Sequence, residues 1–144
     1  MSQTVDANVL LYAADAENPR QSRARDLLQT LTEGPEILYV FWPVVLAYVR
    51  ISTLPSLFRN PLTLEAAVAD IDYLLSGPNV LTVSEGRGFW KTLSEVLTES
   101  RSRGNLVSDA HLVALMRQYG VSTIYTHDLD FRKFDGIRVV DPFV

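Results

Sequence analysis

Four aspartates, Asp6, Asp109, Asp128 and Asp130, come from distant parts of the sequence, yet each lies where an α/β chain would deliver it to one edge of a sheet. Asp6 directly follows the β-prone pair Thr4-Val5. Asp128 follows the β-branched run 121–126, with Asp130 two residues on. Asp109 lies early in a helical run, among Leu106, Val107, Ala110, Leu112 and Val113, where an unpaired buried carboxylate is costly. Carboxylates that converge repel one another. They stay ionised together only when a cation neutralises them; otherwise one keeps its proton. The chain has no cysteine and only two histidines, so its donors are hard oxygens, which suit Mg2+ or Mn2+ better than zinc. Mg2+ is commonly held by a few carboxylates together with substrate phosphate oxygens, and the chemistry that follows is metal-assisted attack of water on a phosphodiester.

Each aspartate also has a plainer explanation. Asp6, ahead of Ala7-Asn8-Val9-Leu10, suits a helix N-cap equally well. Asp128 and Asp130 suit a turn. Asp109 in a first helical turn is favoured by the helix dipole. His111 and His127 read as surface or supporting residues, and the aromatic pairs Phe41-Trp42 and Phe89-Trp90 as core.

The elements that would position these residues follow from periodicity and punctuation. Strands are expected at 4–5, 36–41, 80–83, 121–126 and 137–140. Helices are expected at 7–14, from Asn18-Pro19 to Gly34-Pro35, at 44–53 behind Pro43, from Thr63 to Gly77-Pro78, at 89–98 and at 106–119. Thr63 and Asn105 are the expected N-caps, and Gly120 is an expected left-handed stop. Ala24, Leu27, Leu28 and Leu31 share one helical face, with Arg20, Arg23 and Asp26 pointing away. Alternation of this kind predicts a three-layer α/β/α sandwich with a mostly parallel central sheet, whose ligands bind at the carboxyl ends of the strands.

The chain of 144 residues suits one domain over 1–144, and no repeat or low-complexity tract divides it. Apolar content of 47% with a net charge of −4 argues against disorder. The start of the chain has no basic and apolar leader pattern, and no run approaches the roughly 18 apolar residues of a membrane span. A cytoplasmic setting without membrane contact is expected. The negative balance argues only weakly against nucleic acid, because 13 basic residues remain available for phosphates. A phosphatase or phosphate receiver of similar shape would need a lysine after a late strand, and neither Lys91 nor Lys133 suits that role.

Three segments in order resemble PIN-domain nucleases. Val5-Asp6-Ala7-Asn8-Val9-Leu10 is similar to their opening D-x-N motif. Gly104-Asn105-Leu106-Val107-Ser108-Asp109-Ala110-His111-Leu112 resembles their third-acid helix. Thr126-His127-Asp128-Leu129-Asp130-Phe131, followed by Phe134 and Gly136, resembles their T-x-D-x-D-F ending. The length, and Val49-Arg50-Ile51-Ser52-Thr53 ahead of Pro55, resemble the VapC toxins of bacterial toxin–antitoxin pairs. The resemblance covers essentially the whole chain. It implies a metal-dependent endoribonuclease that restrains growth by cutting RNA, using Mg2+ with Mn2+ as a substitute, restrained by a VapB-like antitoxin and assembled as a homodimer. By position it implies that Asp6, Asp109 and Asp128 hold the metal, that Asn8 and Thr126 orient carboxylates, and that Asp130 is peripheral or serves a second metal. Arg50 is the basic residue it favours for contact with an antitoxin tail or RNA; Arg20, Arg23 and Arg25 are otherwise expected to be solvated. One position departs. The family's glutamate, one turn before Arg50, is Ala47 here, and no acid occurs between Phe41 and Pro61. That departure favours an alternative: a catalytically weak or inactive PIN-fold module that binds RNA or protein.

Overall fold

The computed structural model describes residues 2–144. β1 (Ser2–Val5) leads into α1 (Ala7–Ala14) and α2 (Gln21–Glu33), and β2 (Ile37–Tyr39) leads into α3 (Trp42–Ser52) and α4 (Leu64–Leu75). β3 (Val80–Leu81) leads into α5 (Phe89–Ser100) and α6 (Leu106–Gln118), and β4 (Thr123–Tyr125) reaches β5 (Arg138–Val140) through a 3-10 turn over Leu129–Lys133. The described strands form one sheet in the order β3-β2-β1-β4-β5, and every neighbouring pair is parallel.

That order explains the layers. The chain steps from β1 to β2 to β3 in one direction, then crosses back to β4 on the far side of β1. Right-handed crossovers therefore put α1–α4 on one face and α5–α6 on the other. The packing agrees: α1 meets α2 and α3, α3 meets α4, and α5 meets α6. The result is the expected α/β/α sandwich.

Local signals act largely as read. Thr63 caps α4 by accepting from the Ala66 N–H at 3.1 Å. Pro43 sits in the first turn of α3, where its missing N–H costs nothing. Gly120, at φ +66°, follows α6 in the left-handed region. Asn105 differs from expectation. It precedes α6, but its backbone is already helical and its side chain caps nothing. The entry is instead closed by backbone bonds, Leu106 N–H to Arg103 O and Val107 N–H to Gly104 O. β1 begins two residues earlier than expected, whereas the other four described strands are shorter than the apolar runs that predict them. Val5, Leu38 and Ile124 are fully buried between the layers, and α6 buries five consecutive residues from Leu112 to Met116. Such a helix is apolar on most sides because it lies on the sheet and under α5.

Candidate metal centre

Parallel strands share one carboxyl edge, and the direction of chain travel reverses between β1 and β4. A crevice forms at such a point. Val5 pairs with Tyr125, so the next residues, Asp6 and Thr126, emerge side by side. Asp6 N–H to Tyr125 O and Thr126 N–H to Val140 O, both 3.0 Å, carry the ladder one step further and fix that emergence.

The side chains there are stitched together. Asp6 Oδ1 accepts from the Ala7 N–H at 2.8 Å and caps α1. Its Oδ2 accepts from the Thr126 hydroxyl at 2.9 Å and from Asn8 Nδ2 at 3.4 Å. Thr126 Oγ1 in turn accepts from the Asp128 N–H at 2.9 Å and from Asn8 Nδ2 at 3.1 Å. Asn8 Oδ1 accepts from the His127 N–H at 3.3 Å. Asp6 is therefore both an N-cap and a member of this cluster, so its two readings are compatible. The same holds for Asp128, whose Oδ1 accepts from the Asp130 N–H at 2.9 Å and caps the 3-10 turn.

α6 runs from the carboxyl edge back to the start of β4, so its first turn, with Asp109, lies at that edge. Carboxylate oxygens of Asp109, Asp128 and Asp130 lie within 4.8 Å of one another. Asp130, for which the resemblance leaves open a peripheral place or service to a second metal, stands in this tightest group, brought there by the 3-10 turn. Asp6 adjoins it, and its charge is felt by Asp109. Burial, then the charges of Asp128, Asp6 and Asp130, push the Asp109 carboxyl up to about 7, with Lys133 partly opposing. Burial also raises Asp6, against the lowering bonds from Ala7 and Thr126, while the Asp128 charge adds to the rise. An oxygen-only donor set under mutual repulsion fits a hard divalent cation.

The α3 side of the edge is different. Ala47 packs against the core. Tyr48 is 2% exposed, and its hydroxyl donates to Asp70 Oδ2 of α4 at 2.6 Å. Burial, followed by that bond and the Asp70 charge, raises the phenol well above its ordinary range, so it stays protonated. This oxygen faces a groove of about 880 Å3 between α1, α2, α3 and α4, lined by Leu10, Leu28, Leu62, Ile71 and Leu74. Tyr48 is thus engaged in that groove and does not replace the absent glutamate.

Arg50 is exposed in the last turn of α3, the end away from the carboxyl edge. The early arginines are tied down more than expected: Arg20 lies 5.5 Å over the Tyr12 ring, Arg23 reaches Pro142 O and Val144 O, and Arg25 reaches Ala13 O. Both histidines are supports. His111 Nε2 pairs with Glu85 Oε1 at 2.7 Å, and His127 Nδ1 pairs with Asp141 Oδ2 at 2.9 Å beside Tyr12 and Phe143. The His127–Asp141 pair steadies the segment that holds Thr126 and Asp128, and no local spacing in the sequence signals it.

The family model described as PIN domain matches residues 4–137. The chain belongs to the PIN-domain family. This PIN domain is 47% identical over 143 residues to ribonuclease VapC48 of Mycobacterium tuberculosis, covering 99% of each chain. It is 35% identical to ribonuclease VapC37 of the same organism, covering 96% of this chain and 95% of the relative. Among solved structures, VapC20 of Mycobacterium tuberculosis, a sarcin-ricin loop cleaving toxin, superposes with a TM-score of 0.66 at 22% identity, covering 94% and 98% of the two chains. VapBC2 of Rickettsia felis, bound to a promoter DNA fragment, superposes with a TM-score of 0.70 at 15% identity, covering 97% and 98%. These two likenesses confirm the fold.

Proposed function

We propose that this PIN domain is the toxin of a type II toxin–antitoxin pair, an endoribonuclease that uses Mg2+, with Mn2+ able to substitute, to cut cellular RNA in the cytoplasm. The observation that carries the reading is the carboxylate group at the β1/β4 switch point, with Asp109 held far above its ordinary pKa by burial and neighbouring acids. The ribonuclease names of full-length relatives at 47% and 35% identity support it. In this reading Asp6, Asp109 and Asp128 hold the cation, and Asp130 completes the group directly or through water. When bound, the ion offsets the carboxylate charge and polarises the scissile phosphodiester. Thr126, Asn8 and the Ala7 N–H keep the Asp6 carboxylate in one orientation before any cation arrives, which lowers the cost of assembling the site. The described residues contain no helix long and apolar enough to cross a membrane.

A VapB-like antitoxin is the expected partner, and the apolar groove between α1, α2, α3 and α4 is the surface that suits an apolar segment of it. The toxin itself would pair as a homodimer.

Cleavage of total cellular RNA by the purified chain with Mg2+ or Mn2+ tests the reading. Wild type should cut, chelation should stop it, and Asp6→Asn should lose on the order of a thousandfold in rate, several kcal/mol of transition-state stabilisation. No cutting by wild type, or equal cutting by the variant, would overturn it. Ala47 favours a second reading, an RNA- or protein-binding module that does not cut; RNA binding that persists in EDTA without any metal-dependent cleavage would support that one.

A further inference from the structure

The pair Phe89-Trp90 separates at the start of α5. Gly88, at φ +76°, turns the chain sharply into the helix. Phe89 goes inward, its ring edge-on to His111 at 5.5 Å, while Trp90 is left 71% exposed. A lone exposed apolar side chain is ordinary, but the surroundings of Trp90 are not. Arg87 and Lys91 flank it in sequence; both are exposed, and neither has an ion-pair partner among the described residues. Glu85, the acid preceding them, is taken by His111.

The segment that presents these residues is pinned to α6 at several points. The Gly86 N–H donates to Gln118 Oε1 at 2.8 Å, Gln118 Nε2 donates to Arg87 O at 3.2 Å, and the Tyr119 hydroxyl donates to Ser84 O. His111 holds both Glu85 and Phe89; it lies two residues beyond Asp109, about 200° around the helix, so this segment packs on a different face of α6 from Asp109. An exposed indole between two unpaired cations is thereby anchored to the helix that carries a candidate metal ligand. Indole faces stack on unpaired bases, and nearby basic side chains follow the backbone phosphates.

We propose that Trp90, flanked by Arg87 and Lys91, is a base-stacking platform that holds single-stranded RNA. The proposal deepens the ribonuclease reading and rests on it for its substrate class. Because the sequence contains only two tryptophans, Trp42→Phe leaves Trp90 as the sole indole reporter. Titrating that protein in EDTA with a single-stranded RNA of about ten nucleotides should quench Trp90 saturably. Trp90→Ala should raise Kd and KM about ten- to a hundredfold with kcat changed by about twofold or less, and Trp90→Phe should keep most of the affinity. Joint Arg87→Ala and Lys91→Ala should flatten the dependence of log K on log salt by about 1.4. No quenching together with unchanged affinity for Trp90→Ala, or a fall in kcat at constant KM, would overturn the platform. Quenching of the Trp42→Phe protein, with no metal-dependent RNA cutting by wild type, would sink the ribonuclease reading alone and leave the platform standing.

Discussion

α3 and α6 both begin at the carboxyl edge of the sheet, and they bring opposite materials to it. α6 carries Asp109 in its first turn, where burial and three other aspartates drive its carboxyl up to about 7. α3 carries no acid from Trp42 to Ser52; it offers Ala47, packed on the core, and Tyr48, whose hydroxyl is committed to Asp70 in the groove behind. The candidate centre is therefore built from the β1, β4 and α6 side alone. What balances the missing glutamate in number is Asp130, drawn beside Asp109 and Asp128 by a 3-10 turn. The arrangement depends on position as much as on count: the Thr126 hydroxyl and the Asn8 amide link Asp6 to the segment that carries Asp128.

The polar side of this contrast breaks most readily at Thr126. Thr126→Val keeps the shape and removes the hydroxyl that links Asp6 to the Asp128 backbone, leaving both partners short of a bond. Cation affinity and RNA cleavage are expected to fall about ten- to a hundredfold while the fold persists; Mn2+ titration and cleavage rates measure the two. Unaltered values would mean that the hydroxyl link does not orient the carboxylates. The apolar side is sharpened by Ala47→Glu, which adds a carboxylate on α3. Mn2+ should bind about tenfold more tightly, within the range by which ligand surroundings alter metal affinity, and the metal-free protein should lose stability from the added buried charge. Unchanged Mn2+ affinity would show that position 47 does not face the ion.

Much of this arrangement was legible in the residues themselves. Proline and glycine marked most helix ends, and strand-then-aspartate at Val5-Asp6 and at the end of β4 pointed to the switch point, because parallel strands must share an edge. Asp109 was legible as a charge in an apolar run. Asp130 is legible as one of the aspartates bound for that edge but not as a member of the tightest group, which depends on a five-residue turn around the buried Phe131 rather than on any periodicity. The His127–Asp141 pair was hidden for a similar reason: the partner arrives only after β5 has docked on β4. Asn105 misled because Gly104 already turns the chain by backbone bonds, leaving its side chain nothing to cap. Trp90 reads as core because sequence alone does not show which member of an aromatic pair the helix turns outward, and the structure leaves it exposed.

The central claim is that the carboxylate group is strained until a divalent cation joins it. A carboxyl with a higher pKa folded than unfolded binds more protons in the native state, so its effect is to make stability fall as pH rises from the unfolded value of 3.8 to about 7. Thermal melting of wild type and Asp109→Asn across this range, with and without Mn2+, measures that strain. Metal-free wild type should lose Tm towards pH 8, Mn2+ should restore it, and Asp109→Asn should melt about 2–5 °C higher than wild type at pH 8 without metal, with little response to Mn2+. Identical melting of the two proteins, with equal gains from Mn2+, would contradict the account.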